Sequence, residues 1–262
     1  MTTPQTKHSP WIVPLKHSAA GSPSVFCFPY AGAGASVYRS WSKLFTPEMD
    51  LYAIQAPGRE TRFSEDFVSS IPELASIVAK EILNTTDKPV VLFGHSLGAA
   101  CAYETARALE HMGCSPELLI LSGRQGPGSV SKRAPIAHLS DTEFLQHVLT
   151  YKGTPAAVLE NEELMELLLP LLRADFALAE QYKPSPEPLL TCPVLGLGST
   201  QDEWLDQESL ERWGDLTLGS FESHWFEGDH FYLNHRTAEL VSYVQKKITA
   251  QMKTRTTPSL LV

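Results

Sequence analysis

The chain has 262 residues, of which 43% are hydrophobic and 19% charged; 21 Lys and Arg stand against 30 Asp and Glu, a formal charge of −9. This size suits one α/β domain with a small insertion, and the acidic balance disfavours nucleic acid and anionic membranes, which attract a basic face. No apolar run reaches the ~18 residues that span a bilayer, and the polar stretch 1–22 lacks a signal peptide's apolar core, so a cytoplasmic protein is expected.

In chain order, residues 1–22 read as an N-terminal tail with a short edge strand around Trp11 to Pro14. Ser24-Val-Phe-Cys-Phe28 is a buried strand that runs into Pro29 and the glycine-rich Ala31-Gly-Ala-Gly34. Leu51 to Gln55 is a second strand, ended by Pro57-Gly58. Ser70 to Asn84 reads as a helix: Ser70 and Glu73 fit a capping box, Pro72 is tolerated in the first turn, and Ile71, Leu74, Ala75, Val78 and Ile82 share one stripe. Pro89 to Phe93 is a strand without alternation, as expected where both faces are covered. A helix follows from Leu97 to Met112, ended by Gly113, and Leu118 to Leu121 is the next buried strand.

Strands alternating with helices predict a mainly parallel sheet flanked by helices. The alternation stops after Gly123. From His138 to Tyr182 the pattern is helical: Ser140 and Glu143 form a second capping box, and the apolar stretch Leu164 to Tyr182 is interrupted by Pro170. Two or three helices inserted here make a lid, residues 138–188, between core segments 23–137 and 189–252. The sheet resumes at Pro193 to Gly198, with a helix including Ser209 to Trp213, a strand from Phe221 to Phe226 and a closing helix from His235 to Ala250. Residues 253–262 read as a frayed C-terminal tail. The four cysteines, at 27, 101, 114 and 192, form no CxxC pair and read as buried thiols in a reducing compartment.

The strongest chemical signal is Gly94-His95-Ser96-Leu97-Gly98, a G-x-S-x-G between a buried strand and a helix. Its glycines let the chain turn sharply, exposing the serine hydroxyl in a strained nucleophile elbow. The pentapeptide alone is common by chance. Its strand–turn–helix setting makes it specific, and it points to the α/β-hydrolase fold with Ser96 as nucleophile.

A serine hydroxyl needs a base to take its proton, and in this fold the order is Ser, acid, His. His8 and His17 lie in the tail, while His95, His111, His138 and His147 precede the expected acid. Of the remaining three, His224 falls within a strand and His235 opens a helix. His230 lies in the Glu227-Gly-Asp-His230 loop after a strand and is the expected base. Asp202, four residues past Gly198, is the expected acid, with Asp206 and Asp215 as rivals. Backbone donors for a tetrahedral oxyanion are expected at Leu97 and in the first strand's loop, where Ala31 is the choice and Gly32 or Tyr30 alternatives. That loop lacks the Lys-Ser/Thr of a phosphate-binding P-loop.

Six motifs then occur in a fixed order: Phe28-Pro-Tyr-Ala-Gly32, Ala56-Pro-Gly-Arg-Glu60 with Arg62, Phe93-Gly-His-Ser-Leu-Gly-Ala99, Tyr103-Glu104, Leu171-Leu-Arg-Ala-Asp175 and Gly228-Asp-His-Phe-Tyr-Leu233. Together they resemble the type II (editing) thioesterases that accompany nonribosomal peptide and polyketide synthases, with mammalian fatty-acid-synthase thioesterase II as a related form. The resemblance spans Phe26 to Val244. It implies hydrolysis of acyl thioesters on the phosphopantetheine arm of acyl or peptidyl carrier proteins, clearing mis-primed or stalled groups during antibiotic biosynthesis. It supports Ser96, Asp202 and His230 as the triad and Ala31 with Leu97 as the oxyanion hole, without metal or cofactor. It makes the 138–182 helices a lid over an acyl channel, walled by Leu164, Leu168, Leu172, Phe176 and Leu178. Where the family often has adjacent glycines, this chain has Ala31-Gly-Ala-Gly34. Arg59 and Arg62 are candidates for contact with the carrier, against the alternative of structural ion pairs. No oligomerisation signal stands out, so a monomer is expected.

Overall fold

The computed structural model describes residues 9–18, 23–129, 132–151, 162–185 and 187–256. Seven strands form one sheet: β1 (Ile12–Lys16), β2 (Ser24–Phe28), β3 (Asp50–Ile54), β4 (Val90–His95), β5 (Leu118–Ser122), β6 (Val194–Ser199) and β7 (Phe221–Phe226). Their spatial order is β1-β3-β2-β4-β5-β6-β7. Only β1 is antiparallel, on β3; every other pairing is parallel. The tail therefore contributes an edge strand, longer than expected and reaching Lys16.

The parallel strands read as continuous apolar runs because both sheet faces are covered. Phe26 and Phe28 on β2 pack into one layer with α1 (Ile71–Thr85) and α2 (Leu97–His111). Val25 and Cys27, one residue out of phase, pack into the other layer. That second layer holds Tyr38 and Trp41 of the 3-10 helix Ala35–Lys43 and Leu240, Val241 and Val244 of the last helix.

The expected caps form, with one shift. Ser70 Oγ accepts from Glu73 N–H at 3.3 Å, but the Glu73 carboxylate reaches one residue further back and accepts from Ser69 N–H and Oγ. Gly113 ends α2 with φ +83, a left-handed value that a side chain resists.

Between β5 and β6 lie α3 (Asp141–Thr150) and α4 (Glu162–Gln181). The Ser140–Glu143 capping box is complete. A third inserted helix would fall within 152–161, outside the described residues. Pro170 does not interrupt α4, contrary to expectation. Proline costs roughly 3 kcal/mol in a helix interior. The helix continues because Met165 and Leu172, on either side of it, are buried in a small core with Ile136, Phe144 and Val148.

After β6 come α5 (Gln207–Glu211), a 3-10 turn at Arg212–Leu216, α6 (Tyr232–His235) and α7 (Thr237–Thr256). His235 thus closes a short helix instead of opening the last one. The last helix runs to Thr256, past the expected frayed boundary at 253. Among the described residues, no helix is long and apolar enough to cross a membrane.

Candidate active site

The chain turns from β4 into α2 at Ser96, whose φ of 55° and ψ of −115° are strained for a residue with a side chain. Its amide donates to Ser122 O on β5 at 2.8 Å, which holds the turn against the sheet. The glycines on either side permit this. A Cβ at Gly94 would lie 2.1 Å from the Gly98 carbonyl oxygen, and one at Gly98 would lie 2.1 Å from the Phe28 carbonyl oxygen. Both obstructions are backbone. Gly98→Ala is therefore expected to destabilise the fold by about 3 kcal/mol, lowering Tm by roughly 6–12 °C. A thermal melt checks this, and an unchanged melt would show that the elbow tolerates a methyl group.

His230 Nδ1 lies 2.6 Å from Asp202 Oδ2, and both residues are buried. Burial pushes the imidazole below its ordinary pKa, while the bond to Asp202 pulls it back up. Asp202 Oδ1 accepts from Trp204 N–H at 3.0 Å, so both carboxylate oxygens are engaged. Ser199 Oγ donates to Asp229 O at 2.8 Å and ties the histidine loop to the end of β6. The rivals have other work. Asp206 caps α5 and pairs with Lys132 at 2.8 Å, and Asp215 is exposed. Asp229 accepts from Phe231 N–H at 2.9 Å within its own loop. His224 stacks on Tyr243 with ring centroids 4.0 Å apart, and His235 is exposed.

Ser96, His230 and Asp202 line one cavity of about 1110 Å³, together with Tyr30, Ala31 and Leu97. The structure thus brings all five residues singled out from the sequence to one place. Of the proposed apolar wall, Leu168, Leu172 and Phe176 line the cavity; Leu178 packs instead against the main core, and Leu164 is not among the lining residues. Both arginines are engaged within the chain, although Arg59 also lines the cavity. Arg59 is 7% exposed and forms a two-pronged ion pair with Asp175. Arg62, also 7% exposed, donates to Gln55 O and pairs with Glu65.

A family model for the thioesterase domain matches residues 23–248. The chain belongs to the thioesterase family. Among relatives of this thioesterase, the gramicidin S biosynthesis protein GrsT of Aneurinibacillus migulanus is 34% identical over 91% of this chain and 93% of its own. The linear gramicidin dehydrogenase LgrE of Brevibacillus parabrevis is 34% identical over 93% of this chain and 94% of its own. The type II thioesterase BorB from the borrelidin biosynthetic cluster superimposes with a TM-score of 0.84 at 32% identity, covering 93% of this chain and all of its own.

The thioesterase site also contains residues to which the sequence reading gave no role. Trp204 stands edge-on to His230 with centroids 5.4 Å apart, and the Arg133 guanidinium lies 3.6 Å over the Trp204 ring. His95, beneath His230, hydrogen-bonds Ser122 Oγ at 2.8 Å, which in turn meets Tyr232 OH at 2.6 Å. Burial drives the His95 pKa well below its ordinary value, so the ring is neutral at pH 7. Asp175 carried one overlooked signal. It follows Leu171 and Leu172 by four and three residues, which sets a charge on the apolar stripe of a helix. A charge in that position needs a partner.

Proposed function

We propose that this thioesterase hydrolyses acyl groups from the phosphopantetheine arm of acyl or peptidyl carrier proteins, by a serine mechanism on Ser96, His230 and Asp202. The carrying observation is the 2.6 Å His230–Asp202 pair in the cavity that also holds the elbow serine. His230 Nε2 takes the Ser96 proton as Oγ attacks the thioester carbonyl. Asp202 holds Nδ1–H and stabilises the imidazolium. The oxyanion is received by the N–H of Leu97, first residue of α2 and so without an intrahelical acceptor, and by that of Ala31. Among the described residues the Ala31 amide has no acceptor in the chain, whereas that of Gly32 is committed to Asp175 at 2.7 Å. The C–S bond breaks and the thiol leaves with the proton from His230. Water, deprotonated by His230, then releases the acid and restores Ser96.

In this reading the enzyme clears mis-primed or stalled acyl groups from nonribosomal peptide or polyketide synthases, as the setting of its relatives suggests. Residues 138–188 act as the lid, with α3 and α4 over the acyl cavity. It works as a cytoplasmic monomer, a setting that its four free cysteines suit.

The test compares acetyl and longer acyl groups on a holo carrier protein with the matching N-acetylcysteamine thioesters. Remote binding energy from the carrier should raise kcat/KM roughly tenfold or more. Equal or faster turnover of the small thioesters would mean that the carrier is not recognised, and a general esterase would be the better description.

A further inference from the structure

The loop that carries Ala31 is held from the inserted helices. Tyr30 O accepts from Ala33 N–H at 3.1 Å, closing a turn with Gly32 in third place at φ +77. That is the value a type II turn demands there, and it leaves the turn's central amide, Gly32 N–H, directed outward. Asp175 Oδ2 on α4 accepts that amide at 2.7 Å. The same oxygen accepts from Arg59 Nη1 at 2.8 Å, and Oδ1 accepts from Arg59 Nη2 at 2.9 Å. Arg59 reaches back to the same turn, Nη1 donating to Ala33 O at 3.1 Å. One carboxylate therefore holds the turn at Gly32 directly and at Ala33 through the guanidinium. The fit is close on the α4 side, where a Cβ at Gly32 would lie 2.4 Å from Leu172 Cδ2.

A buried carboxylate is costly unless each oxygen is satisfied, and Asp175 is 1% exposed with both oxygens occupied. A fold needing only to anchor α4 would be served by apolar packing, of which Leu171 and Leu172 already supply some. The charge serves instead to accept a turn amide and a guanidinium together, from segments 143 and 116 residues away in sequence.

We infer that Asp175 is a positioning residue for the oxyanion hole, holding the Tyr30–Ala33 turn in the form that presents the Ala31 amide to the thioester oxygen. The inference rests on the reading of Ser96, Ala31 and Leu97 given above. Because the carboxylate belongs to α4, the hole is complete only while that inserted helix stays docked on α2 and the Tyr30–Ala33 turn.

Asp175→Ala removes both carboxylate oxygens, so neither Gly32 N–H nor Arg59 keeps its acceptor. On an acyl carrier, kcat should fall by roughly 10²-fold, the scale of losing one oxyanion donor, with KM nearly unchanged. The decisive readout is a trifluoromethyl ketone analogue of the acyl group. Ser96 Oγ bonds to its carbonyl carbon, the proton passes to His230, and the ketone oxygen becomes the oxyanion. Its affinity should fall in step with kcat, while a thioether analogue that forms no adduct binds as to wild type. If a thermal melt shows the single variant unfolded, Asp175→Leu with Arg59→Met replaces the buried pair by apolar groups, still withholds the acceptor from Gly32 N–H, and carries the same test. A folded variant with wild-type kcat and ketone affinity overturns the inference, and so does equal weakening of both analogues. Ser96→Ala runs alongside. If it still turns over substrate, the serine reading fails and this inference with it. If turnover needs Ser96 but ignores Asp175, only the inference fails.

Discussion

Replacing Ser96 with alanine is expected to lower turnover of carrier-bound acyl thioesters on the order of 10⁶-fold, the scale seen when a triad serine is removed. Ser96 stands at a turn where an oxygen nucleophile, the N-terminus of α2 and the His230–Asp202 pair share one cavity. Alanine removes Oγ and adds nothing that the elbow must accommodate, so the melt should stay close to wild type. The covalent intermediate should vanish as well. Denaturing mass spectrometry after brief mixing with a long-chain substrate should show an acyl adduct on wild type and none on the variant. Turnover near wild type would place the nucleophile elsewhere.

Asp202→Asn should lower kcat by about 10⁴-fold. Asparagine keeps the shape but cannot act as the anionic acceptor that fixes Nδ1–H, so the ring is free to take the wrong tautomer. The pH profile supplies a second signature whose sign follows from the site. His230 works as a base only when neutral, so kcat/KM falls as pH drops through its pKa. Burial lowers that pKa, and the hydrogen bond and charge of Asp202 raise it. Removing the carboxylate leaves burial unopposed, so the acid limb should move to lower pH while the plateau drops. A plateau that drops with the limb moving to higher pH, or an unchanged plateau, would show that Asp202 is not the orienting acid.

What could be seen in advance follows from how local each cause is. Strands β2, β4 and β5 and their buried runs were legible because covering both sheet faces removes alternation, and such runs stand out. The elbow was legible because a serine at positive φ between backbone contacts requires glycine at 94 and 98. The rival Asp206 could be separated from Asp202 only in three dimensions, and Asp229, next to His230, is likewise engaged in its own loop. Both are consumed by local hydrogen bonds that follow from loop geometry. Pro170 misled because a propensity of a few kcal/mol is local, whereas the packing of Met165 and Leu172 that overrides it is not. Arg62 pairs with Glu65 only three residues on, whereas the pairing of Arg59 was hidden because its partner Asp175 lies 116 residues away. Distance in sequence likewise hid the link between α4 and the oxyanion turn.

The distribution of thiols has a practical consequence for labelling. Cys27, Cys101 and Cys192 are buried, and burial lifts their thiols far above the pH of ordinary work, Cys101 to about 12. Alkylating reagents attack the thiolate, so these three are silent in the folded state. Cys114 alone of the four is partly exposed, and its pKa is raised as well, so mildly alkaline buffer is the suitable medium. It lies between the end of α2 and the start of β5, at the end of the parallel strands opposite the one that carries Ser96. A maleimide dye there needs no engineered cysteine and stays clear of the cavity mouth. The native chain is thus ready for fluorescence measurements of carrier docking.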